Sequence, residues 1–107
     1  MQQLSATELQ AWLSDPSRPA PSLLDVRDPW EHAIAMMEGA TALPLSRLAA
    51  GLGDLDKSRD WVVVCHHGMR SFQAAMFLER SGFARVANLA GGIDAWAREV
   101  DTSMARY

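Results

Sequence analysis

The run Trp61-Val62-Val63-Val64-Cys65 constrains the fold of this chain more than any other five residues. Three consecutive valines without polar alternation suit a strand buried on both faces, as at the centre of a covered parallel sheet. The run ends in Cys65-His66-His67-Gly68-Met69-Arg70-Ser71, which contains the only cysteine. From about Arg70 to Ser81 the spacing of Ala74, Ala75 and Leu78 predicts a helix. Gly82 suits its C′ position, with Phe83 placed for the hydrophobic contact that follows such an ending.

The flanking sequence repeats this alternation. Ser5-Ala6-Thr7-Glu8 reads as a capping box opening a helix that carries Leu9, Trp12 and Leu13 on one face. The proline-rich stretch Asp15–Ser22 is a loop, because three prolines withhold backbone donors and fix φ. Leu23-Leu24-Asp25-Val26 reads as a short buried strand. Asp28-Pro29-Trp30-Glu31 then offers an acid at the cap, proline at N1 and glutamate at N3, with Gly39 fitting the end of the short helix. Thr41–Leu43 is a small strand, and Pro44–Leu55 holds a short helix weakened by Gly51 and Gly53. Val86–Leu89 is a strand, Gly91-Gly92 a turn, and Ile93–Arg98 a last helix presenting Trp96. Strands alternating with helices imply an α/β fold, a largely parallel central sheet flanked by helices on both faces. Ligands of such folds bind beyond the carboxyl ends of the strands, where Cys65 sits.

Composition removes several classes of function. A chain of 107 residues is read as one domain, residues 1–107, able to bury roughly two-thirds of its unfolded surface. A net charge of −3 with no basic cluster gives no footprint for nucleic acid. The longest apolar runs are too short to span a membrane. One cysteine excludes an internal disulfide, a CxxC motif and zinc sites built on cysteine pairs. The start MQQLSATELQAWL lacks the marks of a signal peptide, so the expected location is cytoplasmic.

A strand, then Cys-x-x-Gly-x-Arg-Ser, then a helix makes a cradle for an anion. The helix N-terminus presents unpaired N–H groups and roughly half a positive charge. Gly68 can take φ > 0 and curl the loop so that successive amides point inward. Arg70 adds a permanent charge. Together these favour a thiolate, so Cys65 is expected to be nucleophilic near neutrality. The plainer alternatives are a buried, inert Cys65 and a solvated or salt-bridged Arg70. Adjacent histidines in a tight loop are expected to point in different directions, one tuning the sulfur or meeting substrate and the other packing. No metal site is expected, since only His32 could join them without placing a carboxylate. Two chemistries use such a cradle, phosphoryl transfer and sulfur transfer.

Four motifs in order resemble the rhodanese family of sulfurtransferases over nearly the whole chain. Leu24-Asp25-Val26-Arg27-Asp28-Pro29-Trp30-Glu31 is similar to the family's N-terminal signature, continued by Glu38-Gly39-Ala40 and Leu43-Pro44-Leu45. Cys65 through Ser71 resembles the active-site loop of single-domain members, and Gly91-Gly92-Ile93-Asp94-Ala95-Trp96 the C-terminal signature. The resemblance implies a rhodanese-like three-layer fold and a Cys65 persulfide carried from donor to acceptor without a cofactor. Under it, amides of His66, His67, Gly68, Met69, Arg70 and Ser71 hold the terminal sulfur, while Asp25 and Arg27 support the site from beneath. Two departures stand out: Met36-Met37 where the family often has His-Ile, and His66 where some efficient thiosulfate users carry a basic residue after the cysteine.

The implied partners are a small sulfur donor such as thiosulfate or a persulfide, and an acceptor such as cyanide, a thiol or a partner-protein cysteine. A domain this small is expected to work as a monomer. The alternatives are a non-catalytic rhodanese-like binding module and a cysteine phosphatase or arsenate reductase. Four residues separate Cys65 from Arg70, one fewer than in the Cys-x5-Arg loop of cysteine phosphatases, which disfavours the last. Trp12, Trp30, Trp61 and Trp96 are read as packing residues, Met69 as an apolar rim, and Val100–Tyr107 as a docked tail with little chemistry.

Overall fold

The computed structural model describes residues 1–107. Its elements are β1 (Gln2–Leu4), α1 (Ala6–Leu13), β2 (Ser22–Asp25), α2 (Pro29–Ile34), β3 (Thr41–Ala42), α3 (Leu48–Gly51), β4 (Trp61–Val64), α4 (Met69–Arg80), β5 (Val86–Leu89) and α5 (Gly92–Glu99). The strands form one sheet in the order β1-β5-β4-β2-β3, and every neighbouring pair is parallel. The three-layer α/β fold expected from the alternation is the one observed.

β4 lies at the centre, and all four of its residues are buried. Successive side chains leave opposite faces of a strand, so its valines serve both layers. Val62 and Val64 join Leu9, Trp12, Ile93 and Trp96 in a core beneath α1 and α5. Trp61, Val63 and Cys65 join Leu48, Ala74, Ala75 and Leu78 in a second core beneath α3 and α4. No helix is long and apolar enough to cross a membrane.

Local signals set most element ends. Ser5 Oγ accepts from the Glu8 amide at 3.1 Å while Glu8 Oε1 accepts from the Ser5 amide at 2.9 Å, completing the capping box. After α4, the Gly82 amide bonds Glu79 O and the Phe83 amide bonds Leu78 O, with Gly82 at φ +96 and Phe83 buried. This is the paired C-terminal closure that the sequence anticipates.

Several boundaries differ from the sequence reading. β2 starts at Ser22, whose amide already bonds Asp60 O, and stops at Asp25. β3 is only Thr41–Ala42. α4 begins at Met69, one residue earlier than expected, directly after the left-handed Gly68. α5 runs a residue further at each end than Ile93–Arg98. Gly39 lies beyond the end of α2, in the turn before β3 at φ +78. Pro44–Leu55 is divided into 3-10 turns at Leu45–Arg47 and Leu52–Asp54 around α3. β1 was not foreseen at all. Of the four tryptophans read as packing residues, Trp12, Trp61 and Trp96 are buried, whereas Trp30 is 61 % exposed on α2.

The strand order sets β4 and β5 side by side, so the segments leaving their carboxyl ends run against each other. Ile93 N donates to Cys65 O at 2.8 Å and Asp94 N to His66 O at 3.1 Å. Two glycines permit this approach. At Gly68, φ +105, a Cβ would lie 2.1 Å from Ala90 O; at Gly92, φ +64, it would lie 2.2 Å from His66 O. Gly92→Ala and Gly68→Ala should each lower unfolding free energy by at least about 2 kcal/mol in urea titrations. Gly53→Ala, where nothing lies within 4 Å of the added carbon, should stay within about 0.5 kcal/mol of wild type.

Candidate active site

Cys65 follows the last residue of β4 and is 1 % exposed. Its Sγ accepts a hydrogen bond from the Gly68 amide at 3.0 Å and lies 3.2 Å from Ser71 Oγ. The left-handed turn at Gly68 reverses the loop and starts the twelve-residue α4, so first-turn amides of Met69, Arg70 and Ser71 lie at the sulfur's end of the helix. The positive end of the helix dipole therefore faces the thiol. Backbone dipoles, held by strand and helix, are the main preorganised field here.

Asn88, buried on β5, backs this loop. Its Oδ1 accepts from Ser71 Oγ at 2.5 Å, while Nδ2 donates to Gly68 O at 3.2 Å and Gln3 Oε1 at 2.8 Å. Nothing in the sequence marked Asn88, which reads as one polar residue in an apolar strand.

Arg70 is not a free cation. Its two terminal nitrogens donate to the two oxygens of Glu31 at 2.6 and 2.9 Å, a bidentate pair. Glu31 is 2 % exposed, and its Oε1 also accepts from the Asp28 amide at 3.1 Å. The Arg70 hydrogen bonds, against burial, hold Glu31 down to about 2 from its ordinary 4.5, with Tyr107 assisting. The same pairing raises the pKa of Arg70. Glu31 was anticipated as the N3 residue of α2 and as the end of the N-terminal signature, but not as the partner of Arg70.

Tyr107 overturns the reading of the last residues as chemically idle. Its hydroxyl donates to Glu31 Oε2 at 2.6 Å and accepts from Arg27 Nη1 at 2.9 Å. Its ring stacks on His66 with centroids 3.9 Å apart and meets Trp30 edge-on at 5.8 Å. Burial and the bond to Glu31 raise the phenol to about 12, with Arg27 pulling the other way. The signal was invisible locally, since these partners lie 76 and 80 residues away in sequence.

Asp25 and Arg27 are both fully buried. Arg27 donates to Asp25 through Nε and Nη2, to the carbonyls of Glu31 and Ala35, and to Tyr107. Every face of the guanidinium that points into the protein is thus matched. His32 Nε2 sits 3.3 Å from Asp25 Oδ1 but out of line for a hydrogen bond. Met36, at the position of the missing family histidine, is half-buried, while Met37, at that of the isoleucine, is buried in the α1/α5 core.

The two loop histidines do not diverge. Their rings stack at 3.9 Å with an interplanar angle of 26°, continuing the Tyr107–His66 stack. Burial, followed by the neighbouring His67, lowers the His66 pKa below 6.5, favouring the neutral ring. Donor atoms of His66, His67 and Asp94 lie within 4.8 Å of one another. Asp94, however, accepts from Arg98 at 3.0 Å and pairs with Arg106 at 3.4 Å. Two guanidinium groups already use the carboxylate that a cation would need, so the donor set fits a metal poorly.

The mouth is open rather than cavernous. In the loop itself, Met69 is 77 % exposed. Space beside His66 and Tyr107 amounts to about 10 Å³, room for about one water. The larger clefts, such as one of about 590 Å³ lined by Leu13, Leu23, Met36, Met37, Trp96 and Met104, lack Cys65 and its loop.

Comparison with known proteins places the chain in a family. The family model described as "Rhodanese-like domain" matches residues 5–99. A sulfurtransferase of Allochromatium vinosum is 43 % identical over 76 residues, covering 71 % of each chain. A probable adenylyltransferase/sulfurtransferase, MoeZ, of Mycobacterium tuberculosis is 36 % identical over 97 % of this chain, which spans only 26 % of that protein. The crystal structure of a rhodanese-related protein from Thermoplasma volcanium superimposes with a TM-score of 0.84 at 28 % identity, covering 94 % of both chains.

The Glu31 network carries a pH signature. A carboxylate held at about 2 rather than 4.5 contributes fully above pH 4.5, and that contribution is lost as pH falls from there toward 2. Allowing for solvent at Arg70, 34 % exposed, the amount is on the order of 2 kcal/mol. Glu31→Gln should be less stable than wild type at pH 7, and urea midpoints of the two proteins should converge as pH drops from 4.5 toward 2.

Proposed function

The chain belongs to the rhodanese-like domain family, and from that premise we propose that it is a catalytic sulfurtransferase whose sulfur carrier is Cys65. The observation that carries the reading is the setting of the sulfur: buried, bonded by the Gly68 amide at 3.0 Å, and placed at the opening of α4. Such a site stabilises negative charge on sulfur through fixed dipoles that need no rearrangement as the reaction proceeds.

In the first step the Cys65 thiolate attacks the outer sulfur of a donor. With thiosulfate, an S–S bond forms to Cys65 while the bond to the sulfonate sulfur breaks, and sulfite departs with the electron pair. The terminal persulfide sulfur then lies toward the loop amides of His66 through Ser71. In the second step cyanide or a thiolate attacks that terminal sulfur, the S–S bond breaks, and the Cys65 thiolate is restored. No cofactor takes part, because the side chain itself carries the sulfur. With no second cysteine, the acceptor comes from another molecule, a small thiol or a cysteine presented by a partner protein. We take residues 1–107 as one domain that works as a monomer.

Arg70 supports sulfur over phosphate chemistry. A phosphatase loop needs its arginine to clamp phosphate oxygens, yet here both terminal nitrogens are held by Glu31. The loop between Cys65 and Arg70 is also short for three equatorial oxygens.

Intact-mass spectrometry after incubation with thiosulfate, or with a low-molecular-weight persulfide, tests the reading. Wild type should gain one sulfur, faster from the persulfide because His66 replaces a cation beside Cys65. Cyanide should remove that sulfur as thiocyanate, and Cys65→Ser should gain none. Wild type left unmodified by both donors would favour the non-catalytic binding module, and turnover of a chromogenic phosphate ester would favour a phosphatase.

A further inference from the structure

The hydrogen-bonding capacity of Asn88 and Ser71 can be counted completely, because both side chains are buried. The orientation of the Asn88 amide is set by Gly68 O, a backbone acceptor that can face only Nδ2 at 3.2 Å. The other Nδ2 proton goes to Gln3 Oε1 at 2.8 Å, so it is Oδ1 that meets Ser71. A serine hydroxyl has one proton. Ser71 spends it on Asn88, which leaves only lone pairs on the side facing Cys65 Sγ, 3.2 Å away. The contact between cysteine and serine in this state therefore runs from S–H to oxygen. Ser71 is an acceptor for a protonated Cys65.

An anionic sulfur in the same position meets those lone pairs unfavourably. It is stabilised only if the Ser71 hydroxyl turns its proton onto the sulfur, and Asn88 Oδ1 then loses its partner in a buried site. The Gly68 amide serves both states, since it donates to sulfur whether or not sulfur carries a proton. Asn88 is thus the element that separates them.

Taking Cys65 as the sulfur carrier proposed above, we infer that Asn88 is a positioning residue for sulfur transfer, holding the Ser71 proton away from a resting Cys65 thiol and yielding it to the sulfur anion. The proton that Cys65 loses on activation passes to water at the mouth. The Ser71 proton stays on its oxygen throughout and changes only the acceptor it faces. Asn88 tethers the loop at Gly68 O while opposing premature charge on the thiol, so the two roles reside in opposite ends of one amide.

With one cysteine, the protein has a single S–H stretching band, and vibrational spectroscopy reads Cys65 without labelling. The wild-type band is expected at lower frequency than that of a thiol without an acceptor, and Ser71→Ala should move it up. Asn88→Leu, which fills the space but frees the Ser71 proton for the sulfur, should raise the rate of persulfide loading about tenfold at fixed pH. In a Ser71→Ala background the same Asn88→Leu change should leave the loading rate unaltered. A wild-type band at the acceptor-free frequency would overturn the proton assignment, even if Asn88→Leu fails to fold. An equal effect of Asn88→Leu with and without Ser71 would reduce Asn88 to a structural support and overturn the inference. A wild type with a lowered band that never loads sulfur would instead overturn the sulfur-transfer reading, so the two failures are distinguishable.

Discussion

The structure depends above all on backbone touching backbone between the loop that follows β4 and the turn that follows β5. Parallel neighbours in a sheet release their chains at the same edge, but side chains ordinarily keep the emerging loops apart. Here Gly68 faces Ala90 O and Gly92 faces His66 O with no room for a Cβ, and the amides of Ile93 and Asp94 close onto Cys65 and His66. The close fit points the N-terminus of α4 at the sulfur and brings Asn88 under Ser71. A loop standing free of β5 would have the same residues and none of this order.

Charge around the sulfur is arranged so that little of it is net. Arg70, the one cation of the loop, is matched by Glu31, and Arg27 by Asp25. Glu31 serves three donors at once: the cap of α2, the loop arginine and Tyr107. A carboxylate so fully engaged ties α2 to the loop from the side opposite β5. What remains to favour anionic sulfur is the directed polarity of amides, which is shorter in range than a free guanidinium and more selective for position. Sulfurtransferase membership and this neutralised surround fit together, since a single sulfur needs donors in the right place more than it needs a strong field.

The parts legible in the sequence are those encoded within about a dozen residues. The valines of β4, the Ser5/Glu8 box and the Gly82-Phe83 ending carry their own instructions, and the motif order led to the family. β1 escaped notice because two of its three residues, Gln2 and Gln3, are exposed and only Leu4 is buried, so no period of two can show. Gly51 and Gly53 signalled weakness in Pro44–Leu55 without saying that it would divide into three short turns. At the site, Cys65 and its loop were readable, whereas Glu31, Asn88 and Tyr107 were not. Each acts on a residue at least 17 positions away, and its role exists only once the sheet has chosen its neighbours. The stacked histidines show the same limit at short range, since it is Tyr107 that gives His66 a surface to lie on.

The remoteness of these partners has a consequence for a chain made from its amino end. Cys65 emerges with β4 while the part of its surround that comes from β5 and the turn after it, Asn88 and Gly92, is still unmade. Until β5 adds to the sheet, the thiol sits on an unpaired strand edge with no loop clamped over it, and contacts of such long sequence separation form late. The nascent cysteine is therefore an ordinary accessible thiol, open to stray oxidation. The surroundings that set the chemistry of this residue are completed late, when the last fifth of the polypeptide docks.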